Sequence, residues 1–172
     1  MASIFAFITH RDGIVDDAAT ELLGAVEKID GASRTTAVVT GWGPPLDTAC
    51  ESLRGSFGEV WKIAHESLAY PNAELVRQAL VKLLPARSIV LLPHSHFGVD
   101  LGPGLAIRMN AAFAPDIVDA HPLDGMSLRV VRQEFGGQVS VHVRCDVSAG
   151  AVITTRPGAF KSVQGHSSPA PV

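Results

Sequence analysis

The sequence predicts an α/β fold: a five-stranded, mostly parallel sheet in the order 3-2-1-4-5, helices on both faces and a C-terminal antiparallel strand extension. Two observations lead there. Up to residue 112, apolar runs of strand length alternate with segments of helical period, which implies right-handed crossovers and parallel strands. Beyond it, strand-like runs follow one another with no helical segment between them. A chain of 172 residues suits one domain with a real core.

Residues 3 to 9 are rich in Ile and Phe and read as a first strand buried on both faces. His10-Arg11-Asp12-Gly13 is a turn. Asp16 can cap a helix over Asp17 to Ile29, whose inner face is Ala18, Leu22, Ala25, Val26 and Ile29, with Gly31 at its end. Thr35 to Thr40 is the second strand, closed by Gly41-Trp42-Gly43-Pro44-Pro45, and a short helix covers Leu46 to Leu53. Phe57 to Ile63 is the third strand. Leu75, Ala79 and Leu83 repeat every four residues in a helix over Asn72 to Leu84, which Pro85 stops.

Ser88 to Leu92 is the fourth strand, and a helix runs from about Asp100 to Ala112. Gly102 and Gly104 weaken that helix, and Pro103 is acceptable there only in a first turn. Asp116 to Ala120 is the fifth strand. Leu128 to Glu134, Gln138 to Arg144 and Ala151 to Thr155 then form the antiparallel extension, with Gly136-Gly137 and Ser148-Ala149-Gly150 as turns. The domain is expected over residues 1–163. Residues 164–172, rich in Ser, Pro, Ala and Gly, read as a flexible linker or tail.

Apolar residues make up 47% of the chain and charged residues 18%, which excludes disorder and leaves some apolar surface to be buried against a partner. A net charge of −3 argues against nucleic acid. The N-terminus lacks a basic region, and no apolar run approaches the roughly 20 residues of a membrane span, so a cytoplasmic protein without membrane insertion is expected. Cys50 and Cys145 fit no metal or redox spacing and read as small buried side chains.

Function is expected where the fourth strand turns into its helix. His94 and His96 share that turn, but two ligands do not close a zinc site, and His121 and His142 are scattered. Ser95 lies in no nucleophile elbow. Gly41-Trp42-Gly43 closes a strand at the sheet end where nucleotides lie, though entry into a helix through Pro44-Pro45 explains it. In the order 3-2-1-4-5, the ends of strands 1 and 4 diverge into a crevice, with His10 and Arg11 opposite Ser95, His96 and Gly98. Exposed N–H groups at the helix start could meet a phosphate or a partner's carboxylate, or be capped by Asp100 or Ser95. Arg156 is a fork-shaped donor where the chain turns at Pro157-Gly158, suited to a shared site or a surface ion pair.

Several strings, in order, resemble the N-terminal domain of the electron transfer flavoprotein alpha subunit. Ser95-His96-Phe97-Gly98-Val99-Asp100-Leu101-Gly102-Pro103-Gly104 parallels that family's small-residue turn and its Gly-Arg-Asp-Leu-Ala-Pro-Arg helix start. Pro115-Asp116-Ile117-Val118 parallels a Ser-Asp-Val strand start, and Phe135-Gly136-Gly137 a Tyr-Ala-Gly turn. Arg156-Pro157-Gly158-Ala159-Phe160 is the family's string intact. Val99 and Gly104 replace the two arginines of the helix start, and the chain is expected to end where the family's second, FAD-carrying domain begins.

The resemblance implies a module that pairs with a beta-subunit-like partner and scaffolds a flavin or nucleotide site for electron transfer between flavin enzymes, without catalysis of its own. FAD would be held mainly by parts outside this chain, on the partner or a separate FAD domain, with AMP a further ligand for the partner. Ser95, His96, Gly98 and Arg156 are the cofactor-binding candidates, shared with the partner, and a flavin dehydrogenase or reductase would exchange electrons with the complex. The alternative is a stand-alone adenine-nucleotide-binding module or hydrolase that uses the crevice itself. A third reading is a structural subunit that touches no ligand.

Overall fold

The computed structural model describes residues 3–31 and 35–163, and the linker or tail expected at 164–172 lies outside them. β1 (Ile4–Ile8) is buried throughout and runs into a hairpin of β2 (His10–Arg11) and β3 (Ile14–Val15). The loop residues Asp12 and Gly13 have φ of 50° and 86°, so the predicted turn is a tight two-residue hairpin. α1 (Ala18–Asp30) follows, and the Asp16 carboxylate accepts the Ala18 N–H at 3.0 Å. Next come β4 (Thr35–Gly41), α2 (Gly43–Leu53), β5 (Glu59–Ala64), a short 3₁₀ turn at Glu66–Leu68, and α3 (Ala73–Leu83). α2 begins earlier than expected because Pro44 and Pro45 sit in its first turn, where a missing N–H costs nothing.

β6 (Ile89–Pro93) leads into α4 (His96–Met109), and β7 (Ala112–Asp124), β8 (Ser127–Glu134), β9 (Val139–Asp146) and β10 (Ala151–Thr155) complete the sheet. α4 starts four residues before the expected Asp100, so Pro103 lies inside it rather than in its first turn. Val99 and Pro103 both face solvent, where water can take the Val99 carbonyl that the ring leaves unpaired.

The sheet has eight strands, not five, in the order β5-β4-β1-β6-β10-β7-β8-β9. The α/β class and the first four places of the predicted order hold. The fifth strand does not adjoin the fourth. β10, expected in the antiparallel extension, instead lies between β6 and β7 and is parallel to both. Its five residues are all buried, as a strand covered on both faces must be, whereas β9 is largely exposed and forms the sheet edge. β8 and β9 make the antiparallel extension.

Alternate strand residues feed two cores. Ala6, Ala37, Leu91 and Ile153 pack with Leu22, Val26, Leu46 and Leu53 from α1 and α2 on one face. Phe5, Val38, Val90 and Val152 pack with Val76, Leu80, Leu101 and Leu105 from α3 and α4 on the other. After β10 the chain crosses back over α1. Phe160 is buried in the first core, the Gly158 N–H donates to Glu21 Oε2 at 2.7 Å, and the Val163 N–H donates to Thr20 O at 3.2 Å. Gly24 permits this crossing, since a Cβ there would sit 2.0 Å from the Lys161 carbonyl oxygen. Among the described residues no helix is long and apolar enough to cross a membrane.

Candidate functional site

The C-terminal ends of the parallel strands form one rim, the end at which open α/β sheets receive what they bind. At its centre, Ser95 is extended (φ −99°, ψ 173°), and its hydroxyl accepts the Gly98 N–H at 3.2 Å. Ser95, not Asp100, therefore caps α4. Gly98 sits where the first turn of α4 rests on the end of β6, and a Cβ there would lie 2.1 Å from the Pro93 carbonyl oxygen. His96 is exposed, and its imidazole makes no hydrogen bond to the described residues. Ser95, His96 and Gly98 thus share one turn, the first two facing outward and the third packed inward.

The crevice between β1 and β6 is largely filled. The ring of Phe97, on that same turn, stacks on Phe7 with centroids 5.8 Å apart and planes 18° apart. The space left, lined by Phe7, His10, Thr40, Leu68 and Phe97 among others, is about 60 Å³, far below the roughly 300 Å³ at which small-molecule pockets begin. His10 does not face Ser95 across it. Its Nε2–H donates to the Thr40 carbonyl at 3.2 Å, and its Nδ1 accepts the Gly13 N–H at 3.4 Å, pinning the hairpin to the end of β4. Gly41 makes room for that imidazole: a Cβ would lie 3.0 Å from Nε2. Among the described residues, the space left in this crevice is too small for a flavin.

Arg156 lies on the other side of β6, at the exit of β10. Its Nε donates to Asp116 Oδ1 at 3.0 Å and its Nη2 to Oδ2, while Nη1 and Nη2 reach the side-chain and main-chain oxygens of Gln133 at 3.1 and 3.2 Å. These bonds tie β10 to β7 and β8. Asp116 sits where the β7–β10 register shifts, with φ of 55°. The bond from Arg156 holds its carboxyl below the usual range, against the opposing effect of burial. Thr154, fully buried, bonds both the Asp116 N–H and His94 Nδ1 at 2.8 Å. His94 is thereby drawn into a polar chain that runs from β6 through β10 to β7 and β8.

The rim also carries exposed apolar side chains, of which the sequence reasoning touched only Trp42, within Gly41-Trp42-Gly43. Ile14, in the β2–β3 hairpin after β1, and Trp42 and Tyr70, on the loops after β4 and β5, are 76%, 53% and 83% exposed. Those three strands are neighbours, so the loops emerge side by side. The low charge content was the available signal, but it could not say which apolar residues stay outside. Among the described residues no three His, Cys, Asp or Glu side chains gather as a metal would require. Cys50 and Cys145 are buried, and burial pushes both thiols up, away from the reactive thiolate.

Comparison with known proteins places the chain in a family. The electron transfer flavoprotein domain matches residues 4–172. The electron transfer flavoprotein subunit alpha of Methylophilus methylotrophus is 26% identical over 172 residues, covering 98% of this chain and 53% of that protein. The subunit of the same name from Clostridium acetobutylicum is 25% identical over 167 residues, covering 93% and 49%. The protein FixB of Clostridium saccharobutylicum is 23% identical over 164 residues, with the same two shares. The chain spans about half the length of these relatives. It belongs to the electron transfer flavoprotein domain family, on the alpha-subunit side.

Proposed function

We propose that this chain is the alpha-subunit-like docking half of an electron transfer flavoprotein: it pairs with a beta-subunit-like partner and frames one side of a flavin or nucleotide site without performing chemistry itself. The observation that carries this reading is the state of the rim in a chain of this family. Its crevice is closed by the Phe97–Phe7 stack, while Ile14, Trp42 and Tyr70 are left uncovered beside it. A surface of that kind gains by burial against another protein, and large aromatics are favoured anchors. FAD would be gripped mainly by residues outside this chain, on the partner or a separate FAD domain, and AMP would belong to the partner. Ser95, His96, Gly98 and Arg156 would shape the wall that meets them, Ser95 and Gly98 by fixing the turn and Arg156 by fixing the β10 exit. Electrons would pass through the complex between flavin dehydrogenases or reductases in the cytoplasm.

The chain should be purified alone and with a beta-like protein encoded beside it. A yellow, stoichiometric complex that forms only with the partner supports the reading; tight FAD binding by the lone chain sinks it. A lone adenine nucleotide would need the Phe97 ring to swing out, so a thermal-shift screen with AMP and ATP should give no shift of several degrees.

A further inference from the structure

We infer that Thr154 fixes His94 as a hydrogen-bond donor aimed off the rim, making it a specificity contact for an acceptor oxygen of the beta-like partner. The inference rests on the rim being the docking face. Thr154 is fully buried and has one hydroxyl proton to give. Its oxygen already accepts the Asp116 N–H at 2.8 Å, and His94 Nδ1 lies at 2.8 Å. Were His94 to carry its proton on Nδ1, that N–H would point at the same oxygen, and the threonine's proton would be left inside the protein with no acceptor. An unmet buried donor disfavours that arrangement about tenfold or more. The hydroxyl therefore donates to Nδ1, and the neutral ring keeps its proton on Nε2.

Nε2 has no partner among the described residues, so its N–H is available outside. The ring cannot readily turn away. The His94 main-chain N–H donates to the Thr155 carbonyl at 2.8 Å, so main chain and side chain are both anchored on β10. Thr154 is a positioning residue here, acting only through the imidazole. A main-chain carbonyl or a carboxylate is the chemistry a fixed, neutral N–H donor selects.

The tautomer is read by long-range ¹H–¹⁵N NMR of the isolated chain at alkaline pH. His94 should show a protonated Nε2 and a bare Nδ1, Thr154→Val should lose that bias, and Thr154→Ser should keep it. A protonated Nδ1 in the wild-type chain overturns the inference, whatever the partner does. Affinity for the beta-like partner is then measured for His94→Phe and for His94→Gln, whose amide can place an N–H near the same point. The expected result is a weakening of tenfold or more for Phe and threefold or less for Gln. Unchanged affinity for Phe, or flavin loss from an intact complex, overturns the assignment of the acceptor to the partner. A wild-type chain that binds no beta-like partner overturns the docking reading itself, and with it the assigned acceptor, while the tautomer result still stands or falls by NMR.

Discussion

The guanidinium of Arg77 lies across Gly104: a Cβ on residue 104 would stand 2.5 Å from Arg77 Nε. Arg77 reaches over from α3, donating from Nη2 to the Asp100 carbonyl at 2.8 Å and pairing through Nη1 with Glu74. This explains a glycine in the middle of a helix, where it costs about 1 kcal/mol against alanine. The space belongs to another residue's charge. Gly104 also stands where the resembling helix-start pattern has an arginine.

A double-mutant cycle tests the pairing. In an Arg77→Ala background, Gly104→Ala should raise stability by about 1 kcal/mol through helix propensity alone. With Arg77 present the gain should vanish or reverse, giving a coupling of about 1 kcal/mol or more in chemical denaturation. Equal gains in both backgrounds would mean that the guanidinium simply moves aside.

Ser95 and Gly98 differ in how they hold the same turn, and their substitutions should differ in size. Gly98→Ala drives a methyl into the rigid Pro93 carbonyl, with no flexible atom to yield, and should cost about 3 kcal/mol or more. Ser95→Ala loses only the bond to the Gly98 N–H and should cost about 1 kcal/mol, with Ser95→Asp restoring it. Melting temperatures decide the order. A Gly98→Ala protein as stable as Ser95→Ala would show that β6 and α4 can part at this contact.

The fold was largely legible because strand and helix leave different periods in the sequence. The apolar run Ile4–Ile8 becomes a fully buried strand, and the four-residue spacing of Leu75, Ala79 and Leu83 becomes a helix. The face that helix buries, though, is the neighbouring one of Val76 and Leu80, with Leu83 half exposed. Neighbourhood was less legible. Ala151–Thr155 reads as a strand from its residues, yet its place between β6 and β7 depends on pairing across more than sixty positions to Ile89–Pro93. Its run of β-branched residues without polar–apolar alternation was a clue to a central strand, set against the alternation of Val139–Asp146. Within the candidate site, the sequence located the turn at Ser95–Gly98 but could not reveal that Phe97 would fill the crevice or that Arg156 would bond Asp116. Both depend on side chains from separate elements meeting.

The Arg156–Asp116 brace should make stability depend on acid pH. The carboxyl is held below its unfolded value, which is about 3.9. Its contribution is therefore complete above that unfolded value and is lost as pH falls through the lower folded one. Asp116→Asn tolerates the left-handed backbone but not the ion pair. It should cost about 1–2 kcal/mol at neutral pH and progressively less below about pH 4, as wild type loses the same bond. A loss that stays constant down to strong acid would mean the carboxylate's charge contributes nothing.

The chain's two tryptophans give the docking reading an optical test. Trp61 packs against Phe5 at 5.0 Å between ring centroids, on the sheet face, while Trp42 stands on the rim. Trp61→Phe leaves Trp42 as the sole reporter, and its emission in the free chain should be red-shifted, as for a ring in water. Adding the beta-like partner should move that emission to the blue, because burial replaces water around the indole with apolar side chains. Trp42→Ser and Tyr70→Ser should each weaken the complex about tenfold or more, the scale of an interface anchor, while leaving the melting temperature nearly unchanged, since neither ring supports the core. If the complex forms with Trp42 emission unmoved and both serine variants bind like wild type, the partner sits elsewhere, and the uncovered loops after β1, β4 and β5 have another purpose.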